Sequence, residues 1–284
     1  VSGQWNGWIG REDTRHDRVD PALVQRWCAT LDRALPDDGA APQGLHWCLA
    51  LPDAPTALLG EDGHPRRDAD PAGLLPPIAL PRRMWAAGEV RFHAPLPIEA
   101  MVSRRSRVTA ISEKTGSSGP LAFVDIAHDW HASGQPLISE TQTVVYRASA
   151  ASDAPPSPPQ PGPGAFDATA WERVRCVVPG AALLLRYSAL TFNAHRIHYD
   201  WRYATGVEGY RGLVVHGPLI ASLLLDLARR HGGEQASSAF SFRAVSAAIA
   251  DEPLHLALRP VGQALELQAA AADGRVVMTA QAKC

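Results

Sequence analysis

Lysine is almost missing from this chain. Of its 27 basic side chains in 284 residues only Lys114 and Lys283 are lysine, and 29 acidic residues leave a net charge of −2. A protein that grips nucleic acid needs a large basic excess to neutralise phosphates, so nucleic acid is not the expected partner. The lysine bias runs through the whole chain and carries no functional reading. Long hydrophobic runs are missing too. No stretch reaches the roughly 18 apolar residues of a membrane span, and the best candidate, 219–228, contains Asp226. No membrane partner is expected. Cysteine is scarce and scattered, at Cys28, Cys48, Cys176 and Cys284, with no CxxC pair. Such thiols read as reduced core or surface groups, not as a disulfide framework or a zinc site. Residues 1–5 show no basic region followed by an apolar core, so no signal peptide is expected and the expected address is cytoplasmic. What is present is 46% hydrophobic and 20% charged residues, the balance of a globular chain with a sizeable core.

Proline is concentrated where it divides the chain. Residues 154–164 hold six prolines in eleven positions, a run that forms neither helix nor central strand and reads as an extended spacer. It predicts two domains, 1–150 and 165–284, joined by a linker over 151–164. In the first, Leu23, Val24, Trp27, Leu31 and Leu35 recur at helical steps behind Asp20 and Pro21, an N-cap and first-turn pair, and predict a helix over 21–35. Residues 45–51 form a short apolar run expected as a strand. Residues 52–81, rich in Pro, Gly and Asp, are expected as loop. Strands are expected over 89–94, 101–111, 121–130 and 140–147, the middle two joined by a Gly-Ser-Ser-Gly turn. The second domain repeats the order: a strand over 182–186, loop with one short helix over 187–212, an apolar helix over 218–230, then strands over 239–245, 254–259, 264–271 and 276–282. Helix-then-sheet, twice, is an α+β pattern consistent with duplication.

The densest polar cluster in this apolar chain runs from Tyr187 to Asp200 and contains Asn193, His195, His198 and Tyr199; a second polar point is His216-Gly217-Pro218, at the start of the leucine-rich helix. A metal site is not expected, because His195-x-x-His198 lacks the HExxH glutamate and spacing and no further ligands complete a shell. Acid–base work fits better. Histidine titrates nearest neutrality, Asn193 offers a hydrogen-bonding amide, and Gly217 opens a helix whose first N–H groups have no internal acceptor. A base, a positioning amide and an oxyanion donor suit addition of water to a double bond conjugated to a thioester. They suit thioester hydrolysis equally. Plainer readings stand beside these: His198 and His195 as buried imidazoles that tie down a loop, Asn193 as a turn residue, Asp200 as an N-cap, Tyr199 and His216 as packing, and Arg82, Arg83, Arg104, Arg105, Arg107 and Arg243 as a solvated face.

Two motifs carry a family resemblance. Thr191-Phe-Asn193-Ala-His195-Arg-Ile-His198-Tyr-Asp200, followed by Gly212-Leu-Val-Val-His216-Gly217-Pro218, resembles the hydratase motif of MaoC-like enoyl-CoA hydratases. In the first half, Leu74-Leu-Pro-Pro, Pro81-Arg-Arg-Met-Trp85-Ala-Ala-Gly88 and the segment from Glu113 to Val124 resemble the N-terminal domain of the two-domain branch, which contains mesaconyl-CoA and itaconyl-CoA hydratases and mitochondrial 3-hydroxyacyl-thioester dehydratases. The likeness covers almost the whole chain. It implies a double hotdog, in which antiparallel sheets each wrap a central helix and the two halves pair as a pseudo-dimer, the first degenerate and shaping the acyl pocket, the second catalytic. The family's catalytic His falls on His198 and its Asp on Asn193, while the usual Asn-Pro falls on His195-Arg196. Asn cannot act as a base. The resemblance therefore implies His198 as general acid/base, Asn193 as water or carbonyl positioner, His195 as a second proton carrier and the Gly217 N–H as oxyanion donor. Substrate contacts are placed at Arg243, Trp85, Tyr199 and His216. The implied activity is reversible hydration of an enoyl-CoA, with a short branched dicarboxylic acyl group among the candidates. No cofactor is implied, coenzyme A being part of the substrate, and a homodimer of double hotdogs is compatible with this reading. Two alternatives stay open: a hotdog thioesterase, although no acid stands within 193–198, and a non-catalytic acyl-thioester-binding module.

Overall fold

The computed structural model describes residues 3–66, 73–116, 119–148, 158 and 164–284. Apart from Pro158 and Gly164, the proposed linker lies outside the described residues. Among the described residues twelve strands follow in chain order: β1 (Glu12–Arg18), β2 (Ala40–Ala41), β3 (Arg82–Phe92), β4 (Leu96–Pro97), β5 (Met101–Gly116), β6 (Gly119–Ala132), β7 (Gln135–Arg147), β8 (Arg173–Val177), β9 (Ala239–Ala244), β10 (Leu254–Val261), β11 (Ala264–Ala271) and β12 (Val276–Lys283). The helices are α1 (Pro21–Thr30), α2 (Ala181–Leu190), α3 (Trp201–Gly206) and α4 (Gly217–Gly232). Ten strands form one antiparallel sheet in the order β1-β5-β6-β7-β3-β9-β12-β11-β10-β8, while β2 and β4 pair separately. Each half contributes five strands to the large sheet. They meet edge to edge at β3 and β9, where Gly88 lies opposite Phe242 and Val90 opposite Phe240. This is the double hotdog, α+β by class.

The core follows from the sequence pattern. In β6 alternate side chains are buried, as period-two patterning requires when one sheet face is covered. α4 is buried along its length from Leu219 to Ala228 and packs against β9, β10, β11 and β12. The halves are unequal. α4 has 16 residues, whereas α1 has ten and the buried helical segment that follows it, a 3-10 turn at Leu45–Cys48, has four. That turn stands where a strand was expected. Pro42 and Gly44, the latter at φ 95°, break the chain too close to it for an extended run. The strand expected over 182–186 is also helical, as part of α2. Ala and Leu dominate that segment, Gly180 precedes it, and a short apolar run alone does not distinguish helix from strand. Asp20 caps α1 as expected, accepting from the Ala22 N–H.

Candidate active site

After α2 the chain makes a tight loop rather than continuing as helix. Asn193 Oδ1 accepts the His195 N–H at 2.9 Å, an Asx turn, and Asp200 caps α3 by accepting the Tyr203 N–H. Between them, Arg196–His198 is one 3-10 turn that drives His198 inward. The His198 Nδ1–H donates to the Val214 carbonyl at 2.7 Å. A carbonyl only accepts, so this bond fixes the tautomer and leaves the lone pair on Nε2. Burial lowers the His198 pKa to about 4, against a smaller opposing effect of the Val214 bond, so the ring is neutral at pH 7. Behind it lies His216, stacked at 3.6 Å between ring centroids and sharing a 2.8 Å hydrogen bond with Ser188 Oγ. Burial also holds His216 well below its ordinary pKa. A neutral stacked partner keeps the His198 ring in place without adding repulsive charge.

His216 is also the N-cap of α4, with Gly217 at the first helical position and Pro218 next. Pro218 has no N–H, and the Gly217 N–H has no acceptor within the helix. A Cβ added to Gly217 would meet nothing nearer than the Trp85 carbonyl oxygen, at 3.8 Å, so the approach to this peptide is open. His198, Gly217, Asn193 and His195 line one cavity of about 1570 Å³, together with Trp85, Arg243 and Tyr199. His216 does not line it. At 1% exposure it sits behind His198, and its contact is with the His198 ring and Ser188 instead of the cavity. Tyr199 is half exposed and donates to the Ala194 carbonyl at 3.1 Å. Trp85 lies beside the irregularity between β3 and β7, and its ring packs edge-on to Trp47 and Phe242, forming an aromatic wall. Arg83 also lines the cavity.

Two residues that sequence reasoning passed over belong here. Asp62 and His64 come from the loop-rich stretch of the first half. Asp62 Oδ2 lies 2.9 Å from His64 Nδ1, and the His64 ring is 4.2 Å from His195, centroid to centroid. The ligand atoms of Asp62, His64 and His195 lie within 4.8 Å of one another, the one group among the described residues with the donor set of a metal site. His195 therefore meets a histidine and a carboxylate from the first half of the chain as well as His198, whose ring is 5.4 Å away. Burial first, then the neighbouring imidazoles, lower the His195 pKa to about 2.

A family profile described as hydroxyacyl-thioester dehydratase type 2 matches residues 44–250. A mesaconyl-C(4)-CoA hydratase of Chloroflexus aurantiacus is 42% identical over 282 residues, 98% of this chain and 97% of that protein. Among solved structures, a MaoC-like dehydratase superposes with a TM-score of 0.72 at 13% identity, over 98% of both chains. A Mycobacterium tuberculosis protein described as a double hotdog gives 0.56 at 16%, over 97% of this chain and 96% of that one. A profile that spans both halves, and so takes in the 60s loop as well as the histidine motif it packs on, places the chain in the hydroxyacyl-thioester dehydratase type 2 family.

Proposed function

We propose that this chain adds water reversibly across the α,β double bond of an enoyl-CoA, and that its substrate is a short branched dicarboxylic thioester of the mesaconyl type. The observation that carries the reading is the pairing of His198, its Nε2 left as the basic atom, with the Gly217 N–H at the mouth of α4 in one cavity. The thioester oxygen accepts from Gly217, where the helix dipole favours developing negative charge. His198 Nε2 takes a proton from water. The oxygen attacks the β-carbon, electrons move onto the thioester oxygen, and the enolate collapses as His198 or a neighbouring acid delivers a proton to the α-carbon, so that one water is consumed and no net proton is gained or lost. Asn193, its Oδ1 engaged with His195, orients water or carbonyl through its amide nitrogen. A substrate carboxylate calls for a cation. Arg83 and Arg243 line the cavity and form no ion pair among the described residues. Trp47 and Trp85, both from the first half, line the cavity and bound the acyl group, which supports giving residues 1–150 the acyl pocket and residues 165–284 the hydration motif. The reaction as drawn uses no cofactor.

A panel of enoyl-CoA thioesters, followed by loss of the conjugated-thioester ultraviolet band, tests this. Mesaconyl-type CoA is expected to be hydrated, with His198→Ala lowering kcat by about 10²–10⁴. Release of free coenzyme A thiol in place of hydration makes the chain a thioesterase. Tight binding without turnover, unchanged in His198→Ala, makes it a binding module.

A further inference from the structure

Gly60, Glu61, Asp62, Gly63 and His64 lie in a segment with no hydrophobic periodicity, yet the structure folds them into a closed turn. The Gly63 N–H donates to the Gly60 carbonyl at 3.0 Å and the Gly60 N–H to the His64 carbonyl at 2.7 Å. Asp62 Oδ1 accepts the His64 N–H at 3.0 Å. The turn is clamped onto the histidine loop of the other half. The Arg196 N–H donates to the Asp62 carbonyl at 2.9 Å, the Arg196 guanidinium to the Glu61 carbonyl at 3.0 Å, and Gly63 packs directly on the Ala194 carbonyl. This places His64, with Asp62 bonded behind it, beside His195 in the wall of the cavity. It does so in a chain whose own motif carries Asn193 where the resembled family has its acid.

We propose that His64, oriented by Asp62, is the second acid–base catalyst, and that the first half thereby supplies the function Asn193 cannot. The proposal rests on the hydratase reading and completes its proton balance. In the hydration direction His198 Nε2 gains a proton from water as the C–O bond forms at the β-carbon. The His64 imidazolium loses a proton to the α-carbon as the enolate collapses. The cycle then ends with His198 protonated and His64 neutral, one proton displaced from where it began. His195, its ring 4.2 Å from that of His64 and 5.4 Å from that of His198 between centroids, is the relay that returns it, accepting on one ring nitrogen while releasing from the other; no net proton enters or leaves. Each group has the character its step requires. Burial would raise the Asp62 carboxyl, but hydrogen bonding and charge from His64 and His195 outweigh it and hold the group below the ordinary carboxylate range. Asp62 is thus an anion that stabilises an imidazolium on His64. His195 is buried and neutral, suited to passing a proton without storing it.

The test uses the full chain with the enoyl-CoA it hydrates best. His64→Ala and Asp62→Asn are compared with His198→Ala and with Glu61→Gln, a change of a side chain whose backbone alone engages the loop. His64→Ala is expected to lower kcat by about 10²–10⁴ with KM changed far less, to lose the alkaline limb of the kcat–pH profile, and to recover part of its rate in added imidazole. Asp62→Asn is expected to fall between His64→Ala and wild type, and Glu61→Gln to match wild type. A His64→Ala rate within about threefold of wild type, with an unchanged pH profile, overturns the proposal. So does a loss that tracks a lowered Tm and ignores imidazole. A stoichiometric divalent cation whose chelation abolishes activity also overturns it, since the triad would then be a metal site. Activity lost in His198→Ala but kept in His64→Ala removes this proposal and leaves the hydratase reading. Activity kept in both removes both.

Discussion

A Cβ placed on Gly63 would lie 1.9 Å from the Ala194 carbonyl oxygen, and the residue's φ of +88° is one that side chains rarely adopt. Both penalties fall on the turn that carries Asp62 and His64. Gly63→Ala is therefore expected to destabilise the chain by about 1–3 kcal/mol and to lower kcat by more than that loss of stability alone explains, as urea melts and steady-state kinetics on the same preparation would show. A melt and a kcat both like wild type would mean that the loop yields without cost. The contrast with the histidine motif shows where sequence reading reaches and where it stops. His198, Asn193 and Gly217 stand in contiguous motifs whose spacing survives translation into space. Asp62 and His64 stand about 130 residues upstream in a polar loop, and their proximity to His195 is created by backbone hydrogen bonds to Arg196 that no local pattern encodes.

Among the elements, the ones missed were those with the least hydrophobic signal. β1 reads EDTRHDR and β8 reads RVRCV. They are the two outermost strands of the large sheet, where charged side chains are tolerated and discourage further pairing. β1 has no apolar residue to reveal it, and in the five-residue β8 the alternating Val174 and Cys176 face solvent and form too short a signal to stand out from loop. The inner strands, whose alternate side chains enter the core, were legible to within a few residues except that β3 and β5 run further than their apolar cores. α4 was legible as an apolar helix, but the partners of its one buried acid were not. The Asp226 side chain is fully buried and meets Arg229 at 2.8 Å and Arg230 at 2.7 Å from its own helix, Arg175 of β8 at 3.3 Å and Arg33, beyond α1, at 3.8 Å. The cluster fastens helix, outer strand and first half together. Asp226→Ala leaves these guanidiniums without their shared anion and is expected to cost on the order of 2–4 kcal/mol, short of a fully buried pair because three of the arginines keep some solvent. A shift in the urea midpoint at constant slope would measure it; an unchanged midpoint would assign the cluster no net stabilisation.

Taken whole, the molecule buries four imidazoles in the neutral state. Burial lowers His198 and His128 to about 4, His195 to about 2, and His216 well below its ordinary value. In the unfolded chain each titrates near 6.5. Between that value and the lower folded one the unfolded state binds more protons, so stability rises with pH there. It is expected to be complete above about pH 6.5 and to fall steadily as the pH drops toward 4. Urea midpoints from pH 8 to pH 4 would trace this, with a shallower slope in His128→Asn; a flat profile would mean the imidazoles are not neutral in the fold.

The β3–β9 seam joins two halves of a single polypeptide. In an assembly of separate subunits, the groups facing each other across such an edge drift apart as the protein is thinned in solution. Here the tether fixes their effective concentration. Bringing the 60s turn against the histidine loop is a unimolecular event, as complete in one isolated chain as in a crowded one.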